Sequence, residues 1–195
     1  MTADARPARW NGLVIALHWL AGALILFLLA QGWTMAHGGL SAAMTFDLYQ
    51  QHKSFGFVVL ALTAVRLLAR AAFTAPAAAP KSAWEQRLAA LVQASLYALT
   101  LAAILAGWLV VSTSPLPIPT RFFNLFVIPN IAEPNSALFA AATVAHALLA
   151  YAIACLVALH VAGTIKHHWI DRDDVLTRML PRRTLPSPVR EKGRG

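Results

Sequence analysis

The sequence predicts an all-α integral membrane protein, four transmembrane helices running up-down-up-down as one bundle. Three observations carry that expectation. Charged residues make up only 12% of the chain, about half of the roughly 25% usual in soluble domains. Mean hydropathy is +0.60. Four stretches, at about 13–33, 55–73, 88–111 and 138–165, reach the roughly 20 apolar residues that cross a bilayer as a helix.

Taken in order, residues 1–9 form a short basic tail, and Trp10 stands where an interfacial aromatic belongs. The first span follows Arg6 and Arg9 but is longer than the 7–15-residue core of a signal peptide. It also holds His18 and is needed to close the topology, so it reads as a retained span. GWTMAHGG ends it. Residues 41–54, SAAMTFDLYQQHKS, have a helix start at Ser41 and form a helical lead-in to the second span, which Arg66 interrupts. TAPAAAPKSAW breaks helix through Pro76 and Pro80. The third span is uncharged, and STSPLPIPT after it is too rich in proline for helix. The following FFNLFVIPNIAEPNS is apolar enough to lie on the membrane surface or cover the bundle mouth. The fourth span runs on into KHHWIDRDDVLTRMLPRR. Residues 1–180 read as one domain and 181–195 as a basic, disordered tail.

The net charge of +8 raises the question of nucleic acid, and its distribution answers it. Fourteen of the sixteen Lys and Arg fall at the N-terminus, around the connection of spans two and three, or after span four. Only Lys53 and Arg121 lie in the other two connections. That asymmetry is the positive-inside pattern and places both termini in the cytoplasm. The basic excess is therefore topological, with weak attraction to anionic lipid. The one cysteine, Cys155, lies inside the fourth span. It has no partner for an intramolecular disulfide, and no Cys-x-x-Cys-His is present for covalent haem attachment.

The histidines carry the chemistry. His18, His146 and His160 lie inside spans and His52 at the mouth of the second. An ionisable residue inside a span marks a functional site by default; the alternative is a histidine that hydrogen-bonds to a neighbouring helix as structural glue. His146 and His160 are fourteen residues apart, so at 100° per residue they sit about 40° apart on one helical face, with a rise of about 21 Å. They belong to two stacked sites, each completed from another helix. Depth pairs His18 with His160. It pairs His52 with His146 less cleanly, because His146 lies eight residues into its span while His52 is at the mouth of its own; a helix that begins before His52 and a tilted fourth span would reconcile them.

Two imidazoles from opposite helices suit haem iron, whose porphyrin supplies the other four nitrogens. Zinc needs three or four protein ligands, and no Asp or Glu lies in a span to complete the set. A macrocycle also needs room. Gly22 lies four residues after His18, Gly56 four after His52 and Gly163 three after His160, positions that flank an imidazole on a helix. Arg66 is fourteen residues after His52 and either pairs with an inner haem propionate or snorkels to the head groups. Lys53 is placed to serve the outer haem. His167, seven residues after His160, is an alternative ligand to it. His37, in the Gly-rich exit of span one, reads as solvated.

ALHWL in the first span, YQQHKSFGFVVLALTAVRLLAR across the second, the two histidines of the fourth and KHHWIDRDDVLTRMLPR after it resemble the bacterial cytochrome b561 family. These are small di-haem b-type cytochromes of the inner membrane. The resemblance spans nearly the whole chain. It implies two non-covalent haem b groups and electron exchange with a quinone, ubiquinone in some relatives. It carries the ligand role to His18, His52, His146 and His160. Some relatives pass electrons from superoxide to ubiquinone; others are haem-bearing anchor subunits of larger dehydrogenases or hydrogenases. The expected function is membrane electron transfer between the quinone pool and an outer-face redox partner, with Lys53 and Arg121 steering the anion if that partner is superoxide. The anchor-subunit reading is the alternative. A proton-relay transporter is disfavoured by the lack of in-span carboxylates and of broken-helix repeats.

Overall fold

The computed structural model describes residues 9–76, 82–116 and 118–181. The expected basic N-terminal tail up to residue 8, most of the proline-rich connection after the second helix and the tail from 182 to 195 lie outside these residues.

Among the described residues, four long helices make up the bundle: α1 (Gly12–His37), α2 (Ala42–Ala72), α3 (Ala83–Thr113) and α4 (Ser136–Ile165). All four are long and apolar enough to cross a membrane. Each begins where a short polar side chain can accept a backbone N–H that no helical carbonyl reaches. The Asn11 side chain accepts from Leu13 N–H at 2.9 Å, Ser41 from Met44 N–H at 3.3 Å and Asn135 from Leu138 N–H at 2.9 Å. At α3 the Glu85 carboxylate reaches back to the Ser82 hydroxyl at 2.8 Å and to the Ser82 N–H at 3.3 Å. Between α1 and α2 the chain reverses through Gly39, whose φ of +58° suits a residue without a Cβ.

The second helix includes the expected helical lead-in: capped by Ser41, it starts at Ala42 and runs unbroken into the span expected from about residue 55. The polar lead-in belongs to the same helix, because Ser41 caps it and hydropathy registers only residues destined for lipid. For a related reason His37 lies in the last turn of α1 rather than in a loop, exposed and stacked on Trp33 with ring centres 4.1 Å apart.

α1 runs close along α2, and α3 along α4, so the bundle is two helical hairpins. They touch through α2 and α3, while α4 stands off from α1 and α2. The buried apolar positions are few and mostly modest in size, among them Val14, Ala21, Val59, Ala69, Ala103 and Ala142. Large residues such as Leu26, Leu68, Leu91 and Leu148 point outward. This inside-out distribution is expected where lipid replaces water and small side chains let helices approach.

One end of the bundle carries the loop between α3 and α4. It contains a short antiparallel hairpin, β1 (Thr120–Phe122) and β2 (Phe126–Ile128), with Thr120 opposite Ile128 and Phe122 opposite Phe126. Phe123 and Asn124 at its tip have φ of 45° and 61°, and Leu125 N–H donates to the Phe122 carbonyl at 2.8 Å, a type I′ turn. The hairpin is fixed to the helices by side chains. The Ser54 hydroxyl on α2, 2% exposed, shares its proton between the Gln50 and Arg121 carbonyls and accepts from Phe123 N–H, each at 3.0 Å. On α3, Trp108 donates to the Pro129 carbonyl at 3.0 Å and Ser112 accepts from Ile131 N–H at 3.1 Å.

At the opposite end lie the start of α1, the end of α2, the start of α3 and the end of α4. Here α4 passes into a single π-helical turn, Lys166–Ile170, and the chain folds back across α1. Trp19 donates to the Met179 carbonyl at 2.7 Å and Arg9 donates to that of Leu180. Lys166 bridges to Glu85 at 3.0 Å.

Candidate haem sites

α4 presents two imidazoles along one face, and each meets a partner from the other helical hairpin. His160 faces His18 of α1 with ring centres 6.1 Å apart and planes inclined by 62°. His146 faces His52 of α2, again with ring centres 6.1 Å apart, and planes inclined by 84°. The two meetings lie at opposite ends of the bundle, the first toward the chain termini and the second toward the β-hairpin.

Full helix lengths remove the depth mismatch expected at the loop end. His52 is ten residues past Ala42 and His146 ten past Ser136, so each lies about 15 Å down its own helix. At the terminal end His18 is six residues past Gly12 and His160 five before Ile165.

The two pairs are supported differently. His146 Nδ1 lies 2.8 Å from the carbonyl oxygen of Ala103 on α3. A carbonyl only accepts, so Nδ1 carries the proton and Nε2 keeps its lone pair. His52 lies against Gly32 of α1, and its buried Nδ1 has no hydrogen-bond partner among the described residues. At the other end the half-buried Arg66 turns inward. Its Nη2 donates to His18 Nδ1 at 2.7 Å and its guanidinium lies over the Tyr97 ring, 5.0 Å from the centroid. Arg70, by contrast, is exposed and lies over Trp10.

Of the glycines expected to make room, Gly22, Gly56 and Gly163 are half-buried, with nothing within 4 Å of where a side chain would begin. The glycines that touch an imidazole are others. A Cβ at Gly107 of α3 would lie 3.0 Å from His146 Cε1, and one at Gly32 would lie 3.8 Å from His52 Cε1. Sequence spacing along a ligand's own helix does not reveal them, because they sit on neighbouring helices; Ala103-x-x-x-Gly107 shows only as one of many small-residue pairs. Lys53 is half-buried beside His52, and Arg121 is exposed on β1. His167 Nδ1 lies 2.8 Å and 3.0 Å from carboxylate oxygens of Asp171 and Asp173.

The geometry suits one iron between each pair of imidazoles. Two metal–nitrogen bonds of about 2.0–2.1 Å laid end to end set ring centres roughly 6.3 Å apart, close to the 6.1 Å at both ends. The stand-off of α4 from α1 and α2 leaves imidazoles, rather than backbones, to meet across the bundle. The unpartnered His52 Nδ1 is a further buried polar atom that a bound group would explain.

Comparison with known proteins identifies the family. The family model described as prokaryotic cytochrome b561 matches residues 9–182. Cytochrome b561 homolog 2 of Escherichia coli (strain K12) is 29% identical over 175 residues, covering 89% of this chain and 92% of its own. Cytochrome b561 homolog 1 of the same organism is 28% identical over 181 residues, covering 90% and 98%. Four membrane-crossing helices and a family match over nearly their whole extent make this a multi-pass bacterial inner membrane protein. The chain belongs to the prokaryotic cytochrome b561 family, whose members carry electrons in membranes on haem b.

Proposed function

We propose that this protein carries electrons between the quinone pool and an outer-face redox partner, using two haem b groups, each held by two histidines. Haem b supplies one-electron chemistry at iron; the chain's residues bind it, orient it and set its surroundings. His18 and His160 hold one group, His52 and His146 the other. The observation that carries this reading is the pair of equal 6.1 Å imidazole separations at opposite ends of one bundle.

With two histidines to hold each group, the iron would have no place for a substrate, so electron transfer would need no bond between substrate and metal. Were His18 to hold the group through Nε2, its proton would sit on Nδ1, and Arg66, which now donates to that nitrogen, would be free to pair with a carboxylate of the group. Lys53, next to His52, would offer a cation to the group at the loop end. His160 rather than His167 is the ligand, because His160 faces His18 whereas His167 is engaged with two carboxylates. The basic residues gathered at the terminal end support a cytoplasmic position for that end, with the β-hairpin on the outer face.

The test is haem stoichiometry and the visible spectrum of the purified protein, followed by quinone reduction in proteoliposomes. Two haem b per chain with low-spin spectra and a quinone-oxidised state are expected. Fewer than two haems, or a high-spin spectrum, overturns the reading.

A further inference from the structure

In an α-helix each carbonyl oxygen points toward the residue four positions on, whose N–H it accepts and whose side chain stands beside it. A ring from a neighbouring helix reaches that oxygen only past this side chain. Ala103 and Gly107 of α3 are related in this way. His146 Nδ1 lies 2.8 Å from the Ala103 oxygen. A Cβ at Gly107 would lie 3.0 Å from Cε1 and 3.1 Å from Nδ1 of the same ring, well inside the roughly 3.5–4.0 Å of ordinary carbon contact.

We infer that Gly107 is a positioning residue for the loop-end redox site: its missing side chain lets the Ala103 carbonyl fix the ring plane and tautomer of His146. The inference rests on the proposed ligand role of His146. The carbonyl has a second lone pair beyond the one used within the helix, so α3 loses nothing by making the bond. Fixing Nδ1–H points Nε2 toward His52 with its lone pair available and raises the basicity of the ligand, as carbonyl partners of metal-bound imidazoles do. A methyl group at position 107 is hard to accommodate. The hydrogen bond holds the ring on one side and His52 stands opposite, with its ring centre 6.1 Å away. Gly32, by comparison, leaves His52 at an ordinary 3.8 Å.

The experiment uses the full-length protein in lipid nanodiscs as wild type, Gly107→Ala and Gly12→Ala, the last at an exposed helix start with open space around it. Haem content, potentiometric titration and low-temperature electron paramagnetic resonance are measured. The wild type establishes the two-haem reading first; fewer than two haems there defeats the ligand assignment before any variant is compared. Given two, Gly107→Ala is expected to bind one haem about 10–100-fold more weakly. When that haem is restored with excess cofactor, its potential is expected to be higher and its resonance displaced, because the angle between the imidazole planes has changed. The other haem serves as the internal reference and stays as in the wild type, as do both haems in Gly12→Ala. Two haems with unaltered potentials and resonances in Gly107→Ala overturn the inference. Equal loss or displacement of both haems overturns it too, since the effect then belongs to the bundle rather than to His146.

Discussion

At the loop end a backbone carbonyl holds His146; at the terminal end a charged guanidinium holds His18. Both pairs have the same ring separation, so the difference lies in what surrounds them. A carbonyl in mid-helix is fixed by the helix itself and accepts from one tautomer only. A guanidinium on a long side chain can exchange one acceptor for another. On the proposed ligand assignment, the loop-end site is built for a constant ligand geometry, and the terminal-end site for electrostatic adjustment by a movable cation. That contrast sorts the residues around each site into those that set shape and those that set charge.

Removing a ligand is the most drastic way to break the comparison. His146→Ala is expected to lose the loop-end haem and keep the other, and His160→Ala the reverse. His167→Ala should leave both in place. Pyridine haemochrome content per chain reads all three. Equal losses from both His146→Ala and His167→Ala would reassign the ligands.

Arg66→Met tests the charge side of the contrast. Loss of a half-buried cation beside one site should lower the midpoint potential of that haem alone and weaken its binding, while the loop-end potential stays put. A redox titration in which both potentials move together would erase the distinction between the ends.

Ser54→Ala addresses the shape side. It leaves the Arg121 carbonyl and Phe123 N–H of the hairpin without their partner, at a cost of about 1–3 kcal/mol for groups kept from water. Faster proteolysis at the hairpin is expected, with the terminal-end haem unaffected. Unaltered cleavage kinetics would mean that Trp108 and Ser112 hold the hairpin unaided.

The smallest effect is expected from neutralising Lys53 and Arg121 together. If an anion such as superoxide delivers electrons at the loop end, quinone reduction should slow several-fold at low salt and converge with the wild type as salt screens the charges. A double variant with the wild-type rate at low ionic strength removes anion steering.

The helices and the histidine pairs were legible in the sequence because lipid imposes a coarse rule. About twenty apolar residues announce a span, and a histidine within one stands out. The polar first part of α2 escaped that rule and was read instead from the helix start at Ser41, while a span boundary near residue 55 left His52 at the mouth rather than ten residues into its helix. The β-hairpin was invisible because three-residue strands hold their place through Ser54, Trp108 and Ser112, contacts that no local pattern announces. Gly107 was overlooked for the same physical reason. Its importance lies in a carbonyl on its own helix and a ring on another, whereas sequence spacing reports only neighbours along one helix.

The shared face of α4 has a consequence for how the chain can change length. His146 and His160 are fourteen residues apart on one continuous helix, so a single inserted residue between them turns one imidazole away from the other by about 100°. Four inserted residues nearly restore the face but drive the sites about 6 Å further apart. His18 and His52 sit on different helices joined by the short reversal at Gly39, and extra residues there leave each histidine in register with α4. Length variation in this protein is thus admitted at the turns and refused along the middle of its last helix.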